Sequence, residues 1–213
     1  MSVAELLEGL LACLAPPRCP GCDGPCGDES VGASFCVACA PLLEPAPEAL
    51  RPPAQEAAVH SYGGPIADAI AELKYAGRTE LAPLLGRLLA QAALPYAGVV
   101  QCVIPMPLFP RRLRERGFNQ SALLGAHVAR ALGVPLHVDR LRRVRDTAVQ
   151  AGLTREARMA NVRAAFVSRP VRERVLLIDD VRTTGATLAS AARALCAAGA
   201  PEVITLALAA AAR

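Results

Sequence analysis

The chain has 213 residues, of which 53% are apolar, enough to fill the core of one good-sized domain with a small appendage. Aromatic residues make up only 3%, which argues against an aromatic stacking surface for single-stranded nucleic acid. The net charge of +4 hides an uneven spread. Residues 1–57 hold eight acids against Arg18 and Arg51, whereas residues 108–163 hold twelve arginines against Glu115, Asp139, Asp146 and Glu156, a basic segment suited to phosphate-rich partners.

The N-terminal stretch carries Glu5 and Glu8 inside its apolar run and lacks basic residues, so it does not read as a signal peptide. Ser2-Val-Ala-Glu5 reads as a capping box for an amphipathic helix over about residues 3–14, ended by Pro16-Pro17. Apart from the Ala-rich C-terminal strand and tail, too short to span a bilayer, there is no run of eighteen apolar residues. A cytoplasmic location with reduced cysteines is expected. Cys19-Pro-Gly-Cys22 and Cys36-Val-Ala-Cys39 stand thirteen residues apart, the spacing of a zinc ribbon. Each knuckle presents two thiolates on one tight turn, and four close a tetrahedral structural Zn²⁺ site. Such a site supplies folding energy to a module too small for its own core. Cys26, in the intervening loop, is the alternative to Cys22 as a ligand; Cys22 is the expected one. Cys13, Cys102 and Cys196 lie in apolar stretches and read as core residues.

Residues 41–53 read as a Pro-rich linker. The expected organisation is an N-terminal helix and four-cysteine zinc-ribbon module over 1–45, a linker over 46–56, and a larger domain over 57–213. In the larger domain, residues 58–62 read as a strand and Gly63-Gly64-Pro65 as a turn into a helix over 66–75. That helix has Ile66, Ile70 and Leu73 at helical spacing. A further helix covers about residues 79–93. His60 and His127 read as ordinary strand and helix residues. A buried strand over 99–104 runs into Pro105-Met106-Pro107 and then a loop rich in arginine, from Arg111 to Arg116. Guanidinium forks grip phosphate oxygens, so this arrangement suits pyrophosphate. A helix over 120–132, closed by Gly133, is followed by a short strand over 134–138 and a second basic run over 140–145. Residues 150–161 read as a mobile loop entering a short helix, and Phe166 marks another strand.

The most informative stretch follows. Val175 to Ile178 is a short continuous apolar run, the pattern of a parallel strand covered on both faces. Asp179 and Asp180 come next, then Thr183-Thr184-Gly185-Ala186-Thr187, then an Ala/Leu-rich helix that stops at Gly199 before Pro201. A helix start directs free N–H groups at this turn and attracts anions, phosphate above all. Two carboxylates beside a phosphate cradle make sense if the ligand also carries vicinal hydroxyls and a bound Mg²⁺. Carboxylates accept hydrogen bonds from ribose hydroxyls and stabilise positive charge developing at the sugar carbon. The stretch resembles the phosphoribosyl pyrophosphate (PRPP) signature of type I phosphoribosyltransferases. A P-loop is excluded, because the one lysine, Lys74, lies far from this turn, and no Gly-x-Gly-x-x-Gly follows a strand. A last strand over 203–209 completes an alternation that predicts a parallel, doubly wound α/β sheet.

The two cysteine knuckles, Leu73-Lys74-Tyr75, Pro105-Met106-Pro107, Arg116-Gly-Phe-Asn-Gln120, Gln150 with Arg158 and Asn161, and the stretch from Asp179 to Thr187 together resemble the ComF family. These are competence-protein-F-like and GntX-type relatives of the phosphoribosyltransferases, and the resemblance runs in order along almost the whole chain. It implies a type I phosphoribosyltransferase core with a zinc-finger appendage, and a role in natural transformation, where single-stranded DNA enters the cytoplasm. It also implies that Asp179 and Asp180 are the catalytic pair on the ribose hydroxyls, with Mg²⁺ nearby. Thr183, Thr184, Gly185, Ala186 and Thr187 would cradle the 5′-phosphate, Met106 and Arg116 would border the pyrophosphate, and Arg158 would fold over as part of a lid. Two other functions stay open: a base-salvage phosphoribosyltransferase, and a non-catalytic regulator with PRPP as effector. If DNA binds, the arginines of 111–116 and 140–145 are the expected contacts, because the acidic surroundings of the knuckles repel phosphate.

Overall fold

The computed structural model describes residues 18–25, 35–145 and 165–211. The expected first helix, Cys13, Cys26 and the segment 150–161 with Arg158 lie outside them. Among the described residues six strands are formed: β1 (Glu56–Ser61), β2 (Cys102–Pro105), β3 (Leu141–Arg143), β4 (Phe166–Ser168), β5 (Val175–Arg182) and β6 (Val203–Ala210). The same described residues form five α-helices: α1 (Gly64–Ala71), α2 (Ala82–Ala93), α3 (Pro110–Arg116), α4 (Gln120–Leu132) and α5 (Ala186–Ala197).

Strands β1, β6, β5 and β2 form, in that order, a fully parallel sheet. Every residue of β6 is buried, as are the first four of β5, the continuous apolar pattern of a sheet covered on both sides. Side chains alternate between the faces. Leu176, Ile178, Ile204, Leu206 and Leu208 pack with residues of α1, α2 and α4. Val175, Leu177 and Val203 pack with Leu188, Ala191 and Leu195 of α5 and with Leu141 and Phe166 of a small two-stranded sheet, β3 and β4. Each such aliphatic side chain, fully buried, contributes about 1.5–3 kcal/mol of transfer free energy.

The structure departs from the sequence expectations at five places. Cys196, expected in the core, is exposed on α5, whereas Cys102 is buried. The residues expected to form a strand over 134–138 make only a single parallel bridge, Val103 to Leu136, with Val103 N–H donating to Pro135 O and His137 N–H to Val103 O. Pro135 has no N–H of its own, so it suits a sheet edge. The expected arginine-rich loop is a helix, α3. Pro110 opens it, Gly117 closes it in the left-handed region at φ 82°, and Arg111 pairs with Glu115 one turn on at 2.8 Å. No residue of α3 is buried, so it has no apolar stripe to betray it. The helix expected over 66–75 is α1 continued by a π-helical turn, Glu72–Ala76. The Pro-rich stretch is docked: Ala46 N–H donates to Val59 O, Ser61 N–H to Glu44 O, and Ala46 is fully buried against Ala58, Ala207 and Ala210. Helix α4 matches its expected span; Asn119 Oδ1 accepts from Ser121 N–H at 3.0 Å and Gly133 ends it at φ 66°. Among the described residues no helix is long and apolar enough to cross a membrane.

The order of strands fixes where a site can be. After β2 the chain moves outward to Leu136, and after β5 it moves the other way to β6. The carboxyl ends of β2 and β5 therefore flank a topological switch point, where open α/β sheets bind ligands.

Candidate phosphoribosyl-ligand site and cysteine cluster

Strand β5 pairs with β2 only as far as Ile178, and with β6 up to Arg182. Met106 N–H extends the ladder on the β2 side by donating to Ile178 O at 2.8 Å. Beyond that point Asp179 and Asp180 face a cavity of about 340 Å³ at the switch point. Its walls include Met106 and Pro107 after β2, Arg112 and Arg116 of α3, Gln120 and Ser121 at the start of α4, Arg143 of β3, and Thr183 and Thr187 of the turn into α5. A shallower groove of about 640 Å³ adjoins it and shares Lys74, Tyr75, Arg112 and Arg116.

The acid pair is tightly held. Asp179 Oδ1 accepts from Ser121 Oγ at 3.0 Å and from the Asp180 N–H at 2.9 Å. Burial pushes the Asp179 carboxyl up to about 6, against the opposing pull of Lys74, the Ser121 hydroxyl and Arg143. Asp180 is 3% exposed, and its Oδ2 forms an ion pair with Lys74 Nζ. Burial pulls the Lys74 ammonium down to about 8; nearby Asp179 pulls it up, and Arg116 and Arg112 push it further down. On the facing wall Arg116 lies 5.6 Å from the Tyr75 ring centre and donates to Gln120 Oε1. Asn119 Nδ2 donates to Met106 O at 3.0 Å, tying the α4 cap to the segment after β2.

The turn that opens α5 is shaped by one glycine and one arginine. Gly185 takes φ 77°, and a Cβ there would lie 3.0 Å from Arg182 Nη2. The Arg182 guanidinium is nine-tenths buried beneath the turn and donates to Glu56 Oε2 at 2.9 Å. The Ala186 N–H donates to Thr184 Oγ1 at 3.3 Å. Of the residues expected at the site, Met106, Arg116, Asp179, Asp180, Thr183 and Thr187 line the one cavity. Thr184, Gly185 and Ala186 complete the turn without lining it, and Arg158 lies outside the described residues. Nothing in the sequence marks Ser121, Arg143 or Arg182 as part of this site, because each depends on a distant segment: Ser121 bonds to Asp179, Arg143 joins the cavity from β3, and Arg182 pairs with Glu56. Lys74 is visible there only as part of a motif.

The four cysteines come together away from this cavity. Their Sγ atoms all lie within 4.8 Å of one another, and Cys22 and Cys36 are 3.7 Å apart. A tetrahedral site with metal–sulfur distances of about 2.3 Å puts its sulfurs about 3.8 Å apart, so the cluster fits a metal ion. The Cys39 backbone lowers the Cys36 thiol to about 7, whereas burial holds Cys39 well above the usual thiol range. Asp23 takes the left-handed conformation that the knuckle requires, at φ 55°, and places its carboxylate on Arg78 at 2.8 Å. Gly21 sits so close to Pro65 that an added Cβ would come within 2.6 Å of it. The knuckles are therefore packed against the start of α1 and linked through Arg78 to Glu72 of the turn that carries Lys74.

Comparison with known proteins agrees with this architecture. The phosphoribosyl transferase domain matches residues 119–213. The DNA utilization protein YhgH of Salmonella typhi is 35% identical over 193 residues, covering 87% of this chain and 80% of that protein. Competence protein F of Haemophilus influenzae is 38% identical over 109 residues, covering 48% of this chain and 47% of that one. Competence protein ComFC of Streptococcus pneumoniae is 30% identical over 153 residues, 71% of this chain and 66% of its own. A parallel sheet ending in an acid pair and a hydroxyl-rich turn, joined to a four-cysteine cluster and similar in sequence to most of the YhgH chain, makes this protein a member of the ComF family.

Proposed function

We propose that the protein binds Mg-PRPP in the cavity at the ends of β2 and β5, and acts in the handling of single-stranded DNA during natural transformation. The observation that carries the reading is the acid pair and the hydroxyl turn of Thr183 and Thr187 facing one cavity, opposite the arginines of α3. Asp179 and Asp180 would accept from the ribose hydroxyls. The turn from Thr183 to Thr187 would hold the 5′-phosphate, with Arg182 supporting it from below. Met106, Arg112 and Arg116 would border the pyrophosphate, and Arg158 would join from its own segment. If the protein is catalytic, the acid pair stabilises positive charge at the sugar carbon as pyrophosphate departs. Mg²⁺ carried in with the ligand would supply charge neutralisation on the leaving pyrophosphate.

The same reading takes residues 1–45 as a zinc module, 46–56 as its connection and 57–213 as the phosphoribosyltransferase-like domain. Zn²⁺ is the metal that four thiolates at this spacing favour. Reduced thiols suit the cytoplasm. The DNA role comes from the names of the relatives, and the exposed Arg142 of β3 and Arg145 just after it supply basic surface for it. Calorimetry with Mg-PRPP tests the site: replacing Asp179 and Asp180 together with Ala should abolish binding, and unchanged affinity would sink the assignment. A pyrophosphate-release screen across bases, beside a single-stranded DNA shift assay, separates the DNA role from base salvage and from effector binding.

A further inference from the structure

Lys74 is the chain's only lysine among 23 lysines and arginines, and it stands where the acidic and basic halves of the site meet. Its side chain is 17% exposed, its ammonium pairs with Asp180, and it lines both the cavity and the adjoining groove. At the other 22 of those positions the chain uses arginine. The difference is physical. A guanidinium is a rigid fork that locks onto one carboxylate, whereas an ammonium is a compact charge on a flexible stem with three donors. Asp180 occupies one donor and leaves two for another acceptor. The backbone beneath is also uncommon, since π-helical turns are rare and concentrate at functional sites. This one is anchored by Leu73, fully buried in the core, and braced from outside by Arg78, which pairs with both Glu72 and Asp23.

We infer that Lys74 is a pyrophosphate-binding residue that bridges the two halves of the site, with one donor on Asp180 and the others on oxygens of the ligand's pyrophosphate. This rests on the PRPP reading of the cavity. A ligand that puts its ribose on the acid pair brings its own anionic groups close to those carboxylates. A cation shared between them removes that repulsion, which inside a cavity is far stronger than in water. The arginines of α3 approach from the facing wall; Lys74 approaches from the acid side.

The single lysine makes the test direct, because besides the N-terminus it is the only primary amine in the chain. Acetylation read by peptide mass spectrometry should be slowed at Lys74 at least fivefold by Mg-pyrophosphate and little by ribose 5-phosphate. By calorimetry, Lys74→Met should weaken Mg-pyrophosphate and Mg-PRPP at least tenfold and ribose 5-phosphate less than threefold, with Lys74→Arg in between. Equal protection by the two ligands, no protection, or a parallel loss of both affinities would overturn the inference while wild-type binding of PRPP stands. Wild-type protein that binds none of the three overturns the reading of the cavity and this inference with it. The labelling arm uses only wild-type protein, so it decides the matter even if the Met variant folds poorly.

Discussion

Replacing Asp179 by Asn should make the protein more stable at neutral pH while removing its affinity for Mg-PRPP. The folded protein holds the Asp179 proton up to about pH 6, whereas an ordinary aspartate releases it near 3.8. Between those values the folded state carries the extra proton. Stability supplied by the protonated carboxyl is therefore complete below the unfolded value and is lost as pH rises through about 6. A shift of about 2 units corresponds to about 3 kcal/mol as a ceiling. That figure is already net of the help that Lys74, Ser121 and Arg143 give the carboxylate. Asn keeps an oxygen for the Ser121 hydroxyl and loses only the buried charge. Allowing for relaxation, the gain at pH 7.5 should be about 2 kcal/mol, or roughly 4–8 °C in melting temperature for a chain of this size. Urea or thermal melts of both proteins at pH 4, 5, 6 and 7.5, with equal zinc and no magnesium, measure the difference. It should grow across pH 4–6 and level off above. An Asn variant that is less stable at pH 7.5, or a difference that does not change with pH, would refute the reasoning.

Gly185→Ala should destabilise the fold by about 1–2 kcal/mol, because φ 77° disfavours any Cβ and this one would meet Arg182; it should also cut Mg-PRPP affinity at least tenfold. Denaturation and calorimetry on one preparation check both, and an unchanged protein would mean the turn does not depend on the glycine. Stripping the metal with a chelator should raise amide exchange at least tenfold over residues 35–46 and 64–78, which the knuckles touch, while β5 and β6 stay protected; added zinc should restore it. Uniform exchange before and after would show that the cluster does not support α1. Changing Arg140, Arg142 and Arg145 together to Glu should weaken single-stranded DNA binding. It should also flatten the salt dependence by about 2 in log–log slope, at about 0.7 per phosphate contact. An unaltered slope would move the DNA surface elsewhere.

The fate of particular residues shows what a sequence can carry. The span of α4 is legible because its signals are local: Asn119 at the start, Gly133 at the end, apolar residues at helical spacing between. The same holds for β5, whose four-residue apolar run is followed at once by the acid pair and the turn. Helix α3 is not legible, since it buries nothing and so lacks the periodicity by which helices are found. The strand at Phe166 is legible, but β3 and its pairing with β4 escape for a different reason. The two strands are three residues each, one is rich in arginine, and they pair across more than twenty residues. The docking of the Pro-rich stretch is hidden because Ala46 finds its cover in β1 and β6, far along the chain.

Sequence alone determined the chemistry on offer: four thiols at metal-binding spacing, two adjacent carboxylates, a hydroxyl-rich turn ahead of a helix, and the alternation of strands and helices. These follow from covalent order and local backbone preference, which need no partner. Tertiary structure alone decided that Asp180 meets Lys74, that Ser121 holds Asp179, that Arg182 pairs with Glu56, and that the cysteine knuckles rest on α1. Each of those is a contact between segments brought together only when a parallel sheet buries its two faces, and no local pattern encodes which distant side chain arrives.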